Sequence, residues 1–367
     1  MRRRGIRVQQ RPREKGGEEF RKLKTYFGYI TQICSGSCQS CSSLKMEELC
    51  FPQLLNTSCR KPTSPWANFV LLNIVLYFIS LLTVALNLLV IISVSHFRQL
   101  HTPTNILLLA LAVSDFLVGL LVIPGEVLLK TSCWFLGDLL CLLYNYVSFI
   151  ITSSSIGDMV LISVDRYVAI CDPLHYTTRV TVKRVKLCVC LCWLCAVSYC
   201  SLLLKDDLTQ PGRYNSCHGE CVIVINHTAG VVDLVVTFIV PISVIVVLYM
   251  RVFVVAVSQA RAMRSHITAV TLQLSVNQQT KKSELKAART LGVLVVVFLI
   301  CFCPFYCVAL AGDALVSSSS AWLYLFFLNS CLNPLIYALF FSWFRKAVKL
   351  IVSLQILQPG SCETNIL

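Results

Sequence analysis

Residues 141–167 read CLLYNYVSFIITSSSIGDMVLISVDRY, an apolar run that begins with Cys141 and ends on the charged triplet Asp165-Arg166-Tyr167. The run exceeds the ~20 residues that a helix needs to cross a bilayer. Lipid supplies no hydrogen-bond partners, so such a segment must satisfy its backbone internally, as a helix. An acid–base pair at one end then sits at the membrane–water boundary, and a cysteine at the other end lies near the opposite surface.

Outward from this stretch the same pattern repeats. Apolar segments occur at roughly 68–95, 104–129, 138–170, 186–204, 230–257, 288–312 and 320–341. The chain is 56% hydrophobic and 14% charged, against about 25% charged in soluble domains. With the apolar residues spread over seven segments, the chain is polytopic. The connections after the first, third and fifth segments are basic: His96 to His101 with Arg98, then Arg179, Lys183, Arg184 and Lys186, then Arg261, Arg264, Lys281, Lys282 and Lys286. The positive-inside rule puts these loops and the C-terminus in the cytoplasm and residues 46–67 outside. Asn56-Thr57-Ser58 is a glycosylation acceptor on that outer side. Asn226-His227-Thr228 is a second acceptor, but it abuts the fifth segment, too near the membrane for modification. Residues 342–349, SWFRKAVK, alternate apolar and basic positions as an interfacial helix does.

The formal charge of +14 does not mark a nucleic-acid binder, because it is not one patch. Residues 1–45 hold 11 Lys+Arg against 3 acids. That opening lacks the apolar core of a signal peptide and is too basic for easy translocation. It reads as an upstream extension, with Met46 as the natural start. Cys34, Cys38 and Cys41 match an iron–sulfur spacing, which we take as chance because no cofactor fold follows. Nor is an enzyme expected: no Ser/His/Asp grouping, metal cluster or phosphate loop occurs, the seventh segment has no lysine for a Schiff base, and the repeated broken helices of a transporter are not visible.

Asp165-Arg166-Tyr167, Asn87, Asp115, Trp193, Pro241, Pro304, Asn333-Pro334 and Tyr337 stand in the order of the rhodopsin-like G-protein-coupled receptors, which residues 46–350 resemble. The resemblance implies a seven-transmembrane helix bundle (68–341) with a short amphipathic eighth helix and tail (342–367), held in the plasma membrane and coupled to a heterotrimeric G protein. It implies that Arg166 pairs with Glu284 in the inactive state, that Tyr249 stabilises the active one, and that Phe302 stands where relatives carry a tryptophan switch. Pro241, Pro304 and Pro334 each remove a backbone hydrogen bond and create points about which helices swing. Asp115, Ser155, Asn329, Ser330 and Asn333 would hold an allosteric sodium ion or, equally, a water-filled network.

The sequences SCHGEC (216–221), FCPFY (302–306) and NPLIYALFFSWFRKA (333–347) resemble the trace amine-associated receptors, mostly olfactory amine sensors. Cys221 then corresponds to the usual partner of Cys141. Cys217 is left to Cys50 or Cys59, and we favour Cys59.

In amine receptors an aspartate seven residues beyond the position of Cys141 holds the ligand ammonium. Here that residue is Ser148. Asp233, eight residues before Pro241, resembles the anchor of a subgroup in which the acid has moved to helix five. Phe327 agrees, standing where a tyrosine supports the missing aspartate. The pocket is expected to comprise Asp233, Thr237, Ser148, Phe149, Thr152, Phe305, Tyr306 and Tyr324. A buried carboxylate needs a cationic partner, and a ligand ammonium over aromatic faces supplies one. Asp158 is read as a hydrogen-bonded structural acid and Glu126 as a rim charge, less favourably as the anchor of a second ammonium. The alternative is a receptor for a non-amine odorant or hormone, with Asp233 incidental.

Overall fold

The computed structural model describes residues 49–54, 56–61, 66–266, 292–307 and 319–366. It is a bundle of seven helices, here called spans one to seven. The first five are Trp66–His96, Pro103–Leu129, Gly137–Cys171, Val182–Leu203 and His227–Ser258. Span six is described over Gly292–Cys307 and span seven is Ser319–Phe340. Six have the length and apolarity to cross a membrane; span six is apolar but shorter, and the rest of 288–312 lies outside the described residues. Glu284 also lies outside them, as do residues 1–48.

The helix starts follow from local chemistry. Thr102 accepts from the Asn105 amide at 3.3 Å ahead of Pro103, whose missing N–H costs nothing in a first turn. Thr181 and Asn226 cap spans four and five in the same way. The burial pattern is inverted relative to a water-soluble bundle. Leu71, Ile74, Phe78 and Leu81 of span one face outward, whereas Asn87, Asp115 and Asp158 are fully buried. That arrangement suits lipid, where apolar side chains lose nothing by exposure and polar ones must find one another.

Two prolines leave a visible trace. Pro124 follows a π-helical turn at Val118–Val122, and Pro241 follows another at Leu234–Ile239. A proline ring clashes with the carbonyl four residues earlier, and widening the preceding turn relieves the clash. A widened turn also rotates everything before it around the helix axis. Asp233 is the residue immediately before the second π turn.

At the end of the bundle where span seven finishes, helix Ser342–Val352 buries Trp343, Phe344 and Ala347 and exposes Arg345 and Lys346, as its alternating sequence requires. The chain then returns to the first inner loop. Ser361 Oγ lies 3.0 Å from His96 Nε2, Gln99 donates to the Glu363 carbonyl at 3.3 Å, and Ile366 is buried in the same apolar cluster as Phe97 and Leu100.

A short helix beyond span four, Lys205–Thr209, buries Asp207. Burial pushes its carboxyl from 3.8 up to about 6, and neighbouring Asp206 adds to the shift. The folded chain therefore holds this proton more tightly than the unfolded one, and stability falls as pH rises through that window. Asp207→Asn should raise the thermal midpoint of the solubilised protein at about pH 7.5, with the gain shrinking toward about pH 4.

Candidate functional site

Three disulfides tie together the end of the bundle that the sequence places outside. Cys141–Cys221 ties the top of span three to the second outer loop, Cys59–Cys217 fixes the N-terminal segment to that loop, and Cys50–Cys133 fixes it again to the first outer loop. Sequence reasoning left Cys50 and Cys133 unpaired. Backbone bonds follow the staples: Cys59 N donates to the His218 carbonyl at 2.9 Å, His218 N to Thr57 at 2.7 Å, and Trp134 N to Gly219 at 2.9 Å. Gly219 has φ +103° and packs so close to Cys50 that a Cβ there would lie 3.0 Å from the Cys50 Cβ. Only glycine takes both conformation and space easily. Asn56 lies exposed in a turn of this N-terminal segment.

Beneath the cap, Asp233 is 3% exposed, and Tyr199 of span four donates its hydroxyl to Asp233 Oδ1 at 2.8 Å. Tyr306 lies within electrostatic reach of the same carboxylate and stacks on Phe238 at 4.2 Å, with Phe305 edge-on to it at 5.4 Å. A phenol of span four thus holds the acid of span five, with an aromatic group of spans five and six nearby. Tyr199 escaped the sequence reading. Its signal was a phenol near the outer end of the cysteine-rich run CLCWLCAVSYC, since a buried tyrosine hydroxyl requires a partner.

Other expected pocket residues behave differently. Thr237 turns its hydroxyl onto the Asp233 backbone carbonyl at 2.7 Å, so it braces the helix and does not present a free second donor. Ser148 is likewise bonded within its own helix, to Tyr144 O at 2.8 Å, and no hydrogen bond joins it to Asp233 among the described residues. Phe149 and Thr152 are half-buried on span three, and Tyr324 packs with Phe327 in the cluster between spans two, three and seven. Glu126 requires a correction. It is 8% exposed, a buried group and not a rim charge, and it accepts from the Tyr144 hydroxyl at 3.4 Å. Gly125 explains the approach: a Cβ there would collide with the Tyr144 ring.

Deeper in, Phe302 is buried between Phe298 at 4.2 Å and Phe326 at 4.4 Å, one turn's reach from Pro304. Asn87 Nδ2 donates to the Ser330 carbonyl at 2.9 Å, linking spans one and seven, and Asn333 Nδ2 donates to Asp115 Oδ2 at 2.7 Å beside Pro334. Asp115 Oδ1, Asn329 Oδ1 and Asn333 Oδ1 are buried without a hydrogen-bond partner among the described residues, and Ser155 and Ser330 are buried alongside. Hard, orphaned oxygens around a carboxylate fit a sodium ion. Tyr337 is fully buried with its ring against Phe344.

At the inner end, Arg166 folds back on its neighbour. Its Nε and Nη2 donate to Asp165 Oδ2 at 3.0 and 2.6 Å, and Nη2 also reaches Thr104. Thr104 donates to the same Asp165 oxygen at 2.9 Å, and Tyr176 of the short helix Pro173–Arg179 donates to the other at 2.8 Å. Burial next to Asp165 pushes the Tyr176 phenol up to about 12, so it stays a donor at neutral pH. Tyr249 lies close enough to feel the charge of Arg166, and Tyr167 packs beside Ile170 and Val252.

Residues 86–337 match the family described as the 7 transmembrane receptor (rhodopsin family). The chain is 38% identical to trace amine-associated receptor 13c of Danio rerio over 335 residues, covering 87% of this chain and 96% of that protein. It is 38% identical to trace amine-associated receptor 8a of Rattus norvegicus with the same coverage, and 36% identical to trace amine-associated receptor 1 of Mus musculus over 78% of this chain and 90% of the relative. With a seven-helix bundle and a domain match across most of it, the chain belongs to the rhodopsin family of seven-transmembrane receptors and, within it, to the trace amine-associated receptors.

Proposed function

We propose that the receptor senses a small amine whose ammonium pairs with Asp233, and that it signals through a heterotrimeric G protein of the stimulatory, olfactory type. Residues 46–67 then face outward at the plasma membrane, with Asn56 glycosylated. The observation that carries this reading is a buried carboxylate held by a neutral phenol and by no basic side chain in a described contact, with Tyr306 in its field. Burying such a charge costs several kcal/mol unless a cation joins it. An ammonium of the ligand supplies that cation, and the rings of Tyr306 and Phe305 add attraction. Ser148 leaves span three without an acid at the usual depth. The test is a screen of amines against acids, aldehydes and peptides in cells reporting cAMP. Responses confined to amines are expected; a response to neutral or acidic compounds alone would overturn the proposal.

Activation is read as a population shift toward a state in which Arg166 leaves Asp165 for the G protein. Asp165→Asn removes the charge that holds Arg166, so agonist-free G-protein activation should rise severalfold. Tyr176→Phe, which deletes one of the hydroxyls on Asp165, should give a smaller rise. The quantity to measure is basal cAMP normalised to surface receptor. An allosteric sodium ion at Asp115, with Ser155, Asn329, Ser330 and Asn333, would favour the inactive packing.

A further inference from the structure

We infer that Asp158, Ser154 and Ser114 form a second cation station in the bundle interior, one that takes sodium independently of Asp115. Asp158 is fully buried, and its Oδ2 accepts from Ser114 Oγ at 3.0 Å. Its Oδ1 has no hydrogen-bond partner among the described residues, nor does the fully buried Ser154 Oγ. Ser154 and Asp158 are four residues apart on one helix, so they share a face one turn apart. The face thus carries two orphaned oxygens one turn apart, with the Ser114 hydroxyl on the other carboxylate oxygen.

Charge balance gives the station its chemistry. Ser114 is the immediate neighbour of Asp115, so spans two and three bring two carboxylates into one apolar interior. Arg166 is the one buried basic side chain among the described residues, and it is engaged by Asp165 at the inner end. One sodium at Asp115 offsets one acid, and Asp158 in the same apolar interior must then be neutralised by a proton or by a second cation. Span four packs closely against span three beside the site. Gly157 has no side chain, and Cys192 approaches so closely that a Cβ there would clash with its sulfur. A single carboxylate with hydroxyl oxygens suits a monovalent hard cation, whereas calcium calls for about six to eight oxygens.

The inference rests on the same interior as the Asp115 reading but stands or falls separately. The full-length receptor, purified in detergent, is melted across a sodium chloride series at constant ionic strength, with N-methylglucamine as the replacement cation. Asp115→Asn should keep a sodium-dependent rise in melting temperature, and the double variant Asp115→Asn/Asp158→Asn should lose it. Adding Ser154→Ala to Asp115→Asn should raise the half-saturating sodium concentration severalfold without unfolding the bundle. If Asp115→Asn is flat while Asp158→Asn still responds, the second station is wrong and the Asp115 site stands. If Asp158→Asn is flat while Asp115→Asn responds, the Asp115 site is wrong and the second station stands. A wild-type receptor indifferent to sodium overturns both.

Discussion

Asp233→Ala is expected to weaken activation by amines by between about thirtyfold and a few thousandfold, while receptor still reaches the cell surface. The magnitude follows from truncating one partner of a buried charge pair, about 2–5 kcal/mol. Asp233 lies before the π turn and accepts its hydrogen bond from Tyr199 through a side-chain oxygen, so the helix itself does not depend on the carboxylate. Asp233→Asn should be nearly as damaging, because it keeps the shape and the Tyr199 bond but not the charge. Tyr199→Phe should cost about tenfold, the scale of one hydrogen bond to a charged group. The check is a concentration–response series in cAMP-reporting cells with surface labelling in parallel. Equal potency in Asp233→Asn and wild type would show that charge at this position does not bind the ligand.

Breaking Cys141–Cys221 is expected to give the second large effect. Both cysteines are buried with Trp134, and the bridge closes a separation of 80 residues that takes in most of span three and all of span four. Loss of a native disulfide costs about 2–5 kcal/mol, a large share of a folded protein's net stability. Cys141→Ser should therefore abolish most surface expression and lower the melting temperature of what remains. Cys50→Ser should do less, because Cys59–Cys217 still holds the N-terminal segment and the backbone bonds around His218 survive. Surface immunolabelling of the two single variants distinguishes them, and comparable expression would contradict the hierarchy.

How much of this was legible beforehand depended on the kind of physics involved. The spans were readable because hydrocarbon thickness imposes length and composition, and the prolines and interior acids stood out against an apolar background. Asp233 was visible for the same reason, as a charge in a run of Val, Leu and Phe. What surrounds it was not. The π turn depends on how a proline's strain is relieved in three dimensions, and Tyr199 comes from a different span whose rotation no local pattern sets. Glu126 read as a rim charge from its place high in span two after Pro124, whereas the structure buries it where Tyr144 lies on Gly125. Thr104 and Tyr176 were missed at Asp165 because each is a common residue near a helix start or in a short loop helix. Their role emerges only when spans two and three meet.

The N-terminal staples illustrate the same limit. Charge asymmetry put residues 46–67, with Cys50 and Cys59, on one side of the bundle but left their partners undetermined. Their pairing is a matter of distance, decided by how the segment lies over His218 and Gly219. Cys50–Cys133 and Cys59–Cys217 together tie the N-terminal segment to two connecting loops at once.

The most direct test of the amine reading is a structure of the receptor with an activating amine bound. The account places the ammonium nitrogen on the Asp233 carboxylate, at the roughly 2.7–2.9 Å of a charge-assisted hydrogen bond, with the ring of Tyr306 alongside. A nitrogen found beside Ser148 or Glu126 and remote from span five would contradict it.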